Sequence, residues 1–211
     1  INCVCVKPSL SAIVTNVSCN GGNNGAVNLS VSGGVTPYTY LWSPGSQITK
    51  DISVLTSGVY TVTVTGANGC DSIMSFTVNQ PLLLANTIAG TAATCNGVCN
   101  GNATITPSGG TIPYTYLWSP SSQTTASATS LCAGTFNVTA TDANGCTTTN
   151  SYAVTQPAVL TATATATAVS CNGGTNGTAT VSGSGGTVAY TNLWSAGGTT
   201  TPKTGLAAGT Y

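Results

Sequence analysis

Histidine is absent from this 211-residue chain, and charged side chains make up only 3% of it. Without histidine, neither a Ser-His-Asp triad nor a Cys-His pair can form. Three acidic side chains spread over the chain cannot supply the paired carboxylates of a glycosidase. The charges cancel, so no basic patch exists and no nucleic-acid partner is expected. We expect no enzyme activity and no cofactor; the charged residues are Lys7, Lys50, Asp51, Asp71, Asp142 and Lys203.

Long apolar runs and helical periodicity are also missing. No run approaches the roughly 20 apolar residues that span a bilayer, so no membrane span is expected. No signal peptide is visible, and the chain is expected to begin and end inside repeats. Residues 142–145 faintly resemble a calcium-binding loop, but they contain a single carboxylate. A calcium site needs six to eight oxygen ligands, so no calcium site is expected there.

Cysteine, in contrast, is abundant, with nine residues. Cys-x-x-Cys spacing, typical of zinc and redox sites, does not occur. Nine cysteines in a chain without histidine therefore predict disulfides and no metal site. Stable disulfides predict an oxidising, extracellular or cell-surface location.

A step of 76 residues organises the whole chain. Cys-Asn-Gly begins at Cys19, Cys95 and Cys171, and the tryptophans keep the same step. Asn-Gly-Cys at 68–70 recurs at 144–146, and Gln-Pro at 80–81 recurs at 156–157. Lys7-Pro8 resembles the end of an earlier copy. The predicted domains are the end of a preceding repeat (1–8), repeat one (9–81), repeat two (82–157) and a partial repeat three (158–211).

Each repeat has the pattern of short β-strands. Residues 26–32 and 59–65 alternate apolar and polar side chains, and Asn-Gly and Gly-Gly pairs punctuate the chain. We therefore predict an all-β protein of tandem immunoglobulin-like β-sandwich repeats of about 76 residues, arranged end to end, with seven strands in each.

The aromatic residues are predicted to lie in the sandwich cores. Tyr60 follows a Leu-Thr-Ser-Gly turn, as in a tyrosine corner, and Phe136 stands at the same place without the hydroxyl. On the tryptophan strand, Tyr38, Tyr40 and Trp42 share one face by parity. That face is either sandwich core or a stacking platform for sugars. The predicted core residues are Trp42, Trp118, Trp194, Tyr60 and Phe136.

Disulfide pairing follows from strand counting, with one alternative open. Repeat two alone gains Cys99 and Cys132, in turns that share one end of the sandwich, so these two are predicted to bond. Cys19 is predicted either to bond Cys146 of the next repeat or to bond Cys70 of its own, with Cys95–Cys146 as the second intra-repeat pair. In the inter-repeat scheme, Cys70 and Cys95 bond cysteines outside the visible repeats, and Cys171 occupies the same framework position as Cys95.

The joined motif, from Cys-Asn-Gly-Gly through Pro-Tyr-Thr-Tyr-Leu-Trp-Ser to Asn-Gly-Cys, resembles the SprB repeat. That repeat occurs in very large gliding-motility adhesins and related surface proteins of Bacteroidetes-type bacteria. Repeat three departs from it at Ala189 and Asn192. The resemblance implies a structural stalk or filament segment of a secreted cell-surface adhesin; the alternative is a carbohydrate-binding module array.

Several partners and one modification are also expected. The expected partners are neighbouring repeats of the same chain, further copies in a filament, and surface polysaccharide. Asp71-Ser72-Ile73 matches a short acceptor pattern for O-linked glycans in bacteria that carry this repeat, which predicts a glycosylation site at Ser72.

Overall fold

A computed structural model describes residues 5–211, and within that range the chain forms fifteen β-strands and no helix. The all-β prediction is confirmed. No segment of this range is a helix that could cross a membrane. The chain divides into two compact units. The first comprises the residues up to Thr87 with Thr106–Leu117 and Thr139–Asn150, and the second comprises Ile88–Ile105, Trp118–Val138 and Ser151–Tyr211.

Repeat one folds into six strands in two three-stranded antiparallel sheets, ordered β1-β2-β4 and β3-β5-β6. The prediction of seven strands is wrong, because the interval after the tryptophan strand holds one strand where two were expected. The strands are β1 (Pro8–Thr15), β2 (Gly25–Gly33), β3 (Tyr38–Ser43), β4 (Ile52–Leu55), β5 (Gly58–Gly66) and β6 (Asp71–Val78).

Alternation along β2 and β5 builds the core of repeat one. Every second side chain points inward, so the inner faces are apolar and the outer faces carry Thr, Ser and Asn. Trp42, on β3, is 1% exposed, and its ring centroid lies 6.2 Å from that of Phe76. The Trp42 indole donates a 3.0 Å hydrogen bond to the carbonyl of Thr49, so the buried polar atom is satisfied. The core residues are Val17, Val27, Leu29, Trp42, Ile52, Leu55, Tyr60, Val62, Val64 and Val78.

Gly25, where β2 begins, shows why an Asn-Gly pair opens the second strand. A Cβ added there would lie 2.7 Å from Val78 Cγ1 and 2.8 Å from the Leu55 carbonyl oxygen. The two sheets approach so closely at this point that no side chain fits. Glycine at this place is therefore a packing requirement.

Repeat two has the same six strands and the same sheet orders, β10-β8-β7 and β12-β11-β9. Trp118 is 0% and Leu131 2% exposed, as their counterparts Trp42 and Leu55 are buried in repeat one. The strands are β7 (Ala85–Thr91), β8 (Gly101–Ser108), β9 (Thr115–Ser119), β10 (Ser127–Leu131), β11 (Gly134–Thr141) and β12 (Thr147–Val154).

Repeat three forms a single sheet, ordered β13-β14-β15, from Thr161–Thr167, Gly177–Ser184 and Lys203–Leu206. Its tryptophan motif at 190–195 forms no strand. In repeat one the corresponding strand β3 pairs with β5, and residues 5–211 contain no counterpart of β5 in repeat three. Trp194 is only half-buried, so the prediction that it lies in a closed core is wrong.

Pro8 is the first residue of β1 and is buried. The 76-residue step matches Pro8 with Leu84 and Leu160, and matches Cys5 with Pro81 and Pro157. Lys7-Pro8 is therefore not the counterpart of Gln80-Pro81, and Pro8 belongs to repeat one. Cys3 lies outside the described residues.

Candidate functional site

The turn around Cys19, between β1 and β2, is held by side-chain hydrogen bonds. The Ser18 amide donates to Asn24 Oδ1 at 2.9 Å. Asn20 Nδ2 donates to the Pro81 carbonyl at 3.0 Å, and the Gly21 amide donates to Gln80 Oε1 at 2.7 Å. We call this segment, 18–22, the Cys-Asn-Gly turn of repeat one. These bonds explain why the Cys-Asn-Gly and Gln-Pro motifs recur together.

Repeat two builds the same Cys-Asn-Gly turn at 94–98. The Thr94 amide donates to Asn100 Oδ1 at 3.0 Å, Asn96 Nδ2 donates to the Pro157 carbonyl at 3.1 Å, and the Gly97 amide donates to Gln156 Oε1 at 2.8 Å. The same three hydrogen bonds therefore hold the Cys-Asn-Gly turn in both repeats.

The second element is the Asn-Gly-Cys turn between β11 and β12, organised by Asp142. The Asp142 carboxylate accepts hydrogen bonds from the amides of Thr111, Asn144 and Cys146, each 2.9 Å long. Burial raises the pKa of this carboxyl, but the backbone amides, that of Thr111 first, outweigh burial and lower the pKa below its ordinary value. Asp142 is 5% exposed, and both of its carboxylate oxygens accept hydrogen bonds from backbone amides. Its hydrogen bonds tie the Asn-Gly-Cys turn to the backbone at Thr111.

These two turns meet in the first unit. Cys19 and Cys146 form a disulfide with a Cα–Cα distance of 5.8 Å across 127 residues of sequence. Beside it, Asn144 Nδ2 donates 2.9 Å to the Ser18 carbonyl and 3.0 Å to Thr111 Oγ1. The structure thus brings together the pair required by the inter-repeat scheme. The intra-repeat pairs Cys19–Cys70 and Cys95–Cys146 do not form.

Cys70 has a different partner from the expected one. It bonds Cys5, with a Cα–Cα distance of 5.8 Å, where a cysteine outside the visible repeats was expected. Asn68 of the same turn donates 3.1 Å to the Val6 carbonyl. Cys5 precedes β1 and stands where repeats one and two end in proline, so the Asn-Gly-Cys turn of repeat one is bonded to the segment that leads into its first strand.

Four further cysteines complete the set among the described residues. Cys99 and Cys132 form a disulfide with a Cα–Cα distance of 3.8 Å, so their turns do share one end of the repeat. Cys95 and Cys171 are exposed free thiols. Among residues 5–211, no group of three or more His, Cys, Asp or Glu side chains is arranged to hold a metal ion.

The aromatic strand β3 belongs mainly to the core. Tyr38 and Tyr40 are partly buried and pack against the cluster that contains Trp42. The Tyr38 hydroxyl donates to the Gly33 carbonyl, and burial raises the pKa of the Tyr40 hydroxyl. An open cavity of about 430 Å³ lies beside Tyr38, Thr39, Tyr40, Ile48 and Lys50.

The tyrosine corner is present in repeat one. The Tyr60 hydroxyl donates 3.1 Å to the Thr56 carbonyl, and Tyr60 is 8% exposed. Phe136 is equally buried without that bond. Tyr211 makes the corresponding bond to the Ala207 carbonyl, also at 3.1 Å.

Ser72 lies on β6 with its hydroxyl already engaged. It is partly buried, and its Oγ donates 2.5 Å to the Pro8 carbonyl. Attaching a glycan there would require this bond to break. The structure therefore gives the predicted glycosylation no support.

Comparison with protein families decides the relationship of the chain. The SprB repeat model matches residues 11–47, 91–123 and 163–199, just over half of the chain. This chain belongs to the SprB-repeat family. Each matched segment is roughly 40 residues and spans about half of the 76-residue step, so the family unit is shorter than the predicted repeat of about 76 residues. The remaining strands of each 76-residue repeat lie outside the matched segments.

Several solved structures match the chain at low sequence identity. Three N-terminal domains of the Highly Immunogenic Outer Capsid protein of bacteriophage RB49 match with a TM-score of 0.50 and 16% identity, over 88% of this chain and 73% of that one. The amphioxus IgVJ-C2 molecule matches with a TM-score of 0.29 and 16% identity, over 71% and 97%. Domains 4–9 of the surface layer protein SbsC match with a TM-score of 0.33 and 12% identity, over 93% and 38%. No curated protein matches the chain.

The SprB repeats and the disulfides together indicate a cell-surface or extracellular repeat protein. The immunoglobulin-like fold does not by itself specify a function.

Proposed function

We propose that the chain is a structural stalk or filament segment of a secreted bacterial cell-surface adhesin, and that it has no enzymatic activity. The observation that carries this proposal is the Cys19–Cys146 disulfide with its Asn144–Ser18 hydrogen bond. A covalent bond between consecutive repeats resists separation under load, which is what a stalk requires.

Composition supports the same role. Uncharged Thr, Ser and Asn cover the outer faces of the strands, and net charge is zero. Such a surface has little charge repulsion between copies, which favours lateral assembly into a filament. Exposed apolar side chains on the outer faces, such as Leu41 at 53% and Leu117 at 57%, recur in step and provide repeated contacts for that assembly.

Stretching single molecules from their two ends tests the load-bearing role. The Cys19–Cys146 bond keeps a 127-residue segment out of the stretched path. At about 3.6 Å for each extended residue, we expect the oxidised chain to be shorter than the reduced chain by about 450 Å at full extension. Equal lengths in the two states would contradict the proposal.

The second candidate is carbohydrate binding, favoured by the cavity beside Tyr38, Tyr40 and Lys50. An open cavity bordered by two tyrosine rings and the Lys50 ammonium group is of the kind that binds a sugar ring. A glycan array with the oxidised chain tests it, with Tyr40→Ala as the variant and Tyr152→Ala as the control. Binding that disappears only in Tyr40→Ala would replace the stalk proposal by the module array.

A further inference from the structure

The turn between β10 and β11 of repeat two is held differently from the matching turn of repeat one. In repeat one the Tyr60 hydroxyl donates 3.1 Å to the Thr56 carbonyl and lies 3.4 Å from Thr56 Oγ1. Cys132 stands one 76-residue step after Thr56. Phe136 stands one step after Tyr60. Repeat two therefore lacks the hydroxyl of the tyrosine corner and has a cysteine in the same turn.

The two changes occur together, in repeat two only. The other half of its disulfide, Cys99, stands where repeat one has Asn23. Repeat three keeps the tyrosine, because the Tyr211 hydroxyl donates 3.1 Å to the Ala207 carbonyl. Thr175 and Ala207 stand where repeat two has its two cysteines. In each repeat, this turn is thus held either by a tyrosine hydroxyl or by a disulfide.

The disulfide lies at the end of an irregular edge strand. β10 is an edge strand of the β10-β8-β7 sheet, and its register with β8 shifts between Ala128 and Leu131. Leu131 pairs with Gly101, directly before the turn. The Cys99–Cys132 disulfide then joins the two chain segments, with a Cα–Cα distance of 3.8 Å. It therefore fixes the end of a strand whose own pairing is interrupted.

Exposure to solvent separates this disulfide from the other two. Cys99 and Cys132 are both exposed. Cys70, in contrast, is 7% exposed, and Cys19 and Cys146 are half-buried. Thiol–disulfide exchange requires a thiolate to reach a sulfur atom, so access limits its rate. A small thiol in solution should therefore reach the Cys99–Cys132 disulfide first.

We propose that the Cys99–Cys132 disulfide is a thiol-sensitive lock that takes the place of the tyrosine corner in repeat two. While the disulfide is intact, it holds the β10–β11 turn and the end of β10. When it is reduced, Phe136 offers no hydroxyl to hold the turn, so this end of repeat two loosens. Repeat one keeps its tyrosine corner under the same conditions, so the two repeats respond differently to the thiols around them.

The chemical step is reduction of the disulfide by two molecules of a small thiol such as glutathione. The thiolate of the first attacks one sulfur of the pair, a mixed disulfide forms, and the other cysteine leaves as a thiolate. The second small thiol attacks the mixed disulfide and releases the remaining cysteine. The protein gains two thiols, and the small thiols, which supply the two electrons, become one disulfide.

The lock does not depend on the proposed stalk function. Cys99 and Cys132 both lie inside the segment that the Cys19–Cys146 bond keeps out of the stretched path. Opening the lock alone should therefore leave the length at full extension unchanged. Equal lengths in the force experiment would leave the lock standing, and failure of the experiments below would leave the Cys19–Cys146 bond standing.

The first test is the order of reduction in the full oxidised chain, after its free thiols have been blocked by alkylation. Glutathione is added, and the newly formed thiols are alkylated with a second reagent of different mass and located by mass spectrometry. We expect Cys99 and Cys132 to be labelled about tenfold faster than Cys19 and Cys146, because they are more accessible. Labelling of Cys19 and Cys146 at the same rate or faster would overturn the proposal.

Hydrogen exchange measures what the lock holds. After selective reduction, we expect the amides of residues 127–136 to exchange about tenfold faster, because the loop closure that restrained them is lost. The amides of residues 51–60, the matching segment of repeat one, should exchange as before. Unchanged exchange at 127–136 would show that the disulfide does not hold the turn.

Three substitutions replace the disulfide by a tyrosine corner. Cys99→Asn with Cys132→Thr gives these two positions the residue types of repeat one, and exchange at 127–136 should become faster than in the oxidised wild type. Adding Phe136→Tyr should slow exchange again by about fivefold, because the hydroxyl can donate to the turn carbonyl. Exchange in this triple variant should no longer respond to glutathione.

Phe136→Tyr alone, with the disulfide intact, is the matched control. Because the disulfide already limits opening of the turn, this variant should change exchange at 127–136 by less than about twofold. If Phe136→Tyr slows exchange by the same factor with and without the disulfide, the two contacts do not replace each other and the proposal fails.

Discussion

Asn144 donates its side-chain hydrogen bond to the carbonyl of Ser18, 126 residues earlier in the chain, at 2.9 Å. The bond lies beside the Cys19–Cys146 disulfide, so one turn of repeat two is joined to one turn of repeat one by both a covalent and a polar contact. A disulfide alone leaves the two turns free to rotate about its Cα–Cβ and Cβ–S bonds. The second contact fixes their orientation.

Removing this brace should destabilise the chain. In Cys19→Ser, the closed loop of 127 residues is lost, and we expect about 2–5 kcal/mol less stability of the first unit. Guanidinium denaturation under non-reducing conditions measures it. Cys171→Ser, at an exposed free thiol, is the control and should leave the midpoint unchanged. A midpoint shared by Cys19→Ser and the control would show that the brace contributes nothing to folding.

The tryptophan of repeat two gives a test of the core. Trp118 is fully buried, and its indole donates 2.9 Å to the Thr125 carbonyl. Trp118→Ala should leave a large cavity and an unpaired carbonyl, at a cost of about 3–5 kcal/mol. The neighbouring Leu117, 57% exposed, provides the control: Leu117→Ala should change stability by less than about 0.5 kcal/mol. Thermal unfolding of both variants decides the matter, and an unchanged Trp118→Ala melting temperature would contradict the assigned core.

The sequence predicts the local features of this fold better than its long-range ones. Alternation along β2 and β5 and the 76-residue step are visible in the residues themselves, and they correctly indicate strands and a buried Trp42. Trp194 carries the same motif but lacks a closed core, because burial depends on a partner strand that the motif does not contain.

The partners of two elements of the candidate site could not be identified from the sequence. Cys5 pairs with Cys70 although it lies in no repeated motif, so spacing alone could not identify it. The Gly21 amide donates a hydrogen bond to Gln80 Oε1, 59 residues away. The recurring Gln-Pro pair marks this residue in the sequence, but it does not show which loop the glutamine contacts.

The tyrosine corner should make a small, measurable contribution. Tyr60→Phe keeps the ring in place and removes the hydroxyl that donates to the Thr56 carbonyl. We expect a loss of about 1 kcal/mol. Phe136→Tyr is the complementary variant, because it restores a hydroxyl at the equally buried corner of repeat two and should not destabilise. Urea denaturation measures the stability of both variants. Equal stability of Tyr60→Phe and the wild type would show that the Tyr60–Thr56 hydrogen bond does not stabilise repeat one.

Asp142 should make stability depend on pH in the acid range. Folding lowers the pKa of this carboxyl below its ordinary value of 3.8, because backbone amides favour the charged form. A group whose pKa is lowered by folding contributes its stability in full above 3.8 and loses it as the pH falls through the lowered value. The melting temperature of the wild type should therefore fall between about pH 4 and pH 2.

Asp142→Asn cannot ionise, so it should be less stable at pH 7 and its melting temperature should depend less on pH. Asp71→Asn, at an exposed carboxylate, is the matched control and should follow the wild type. Asp142 is one of only three acidic side chains in the chain. An acid-induced loss of equal size in Asp142→Asn would show that the turn does not depend on the charged carboxylate.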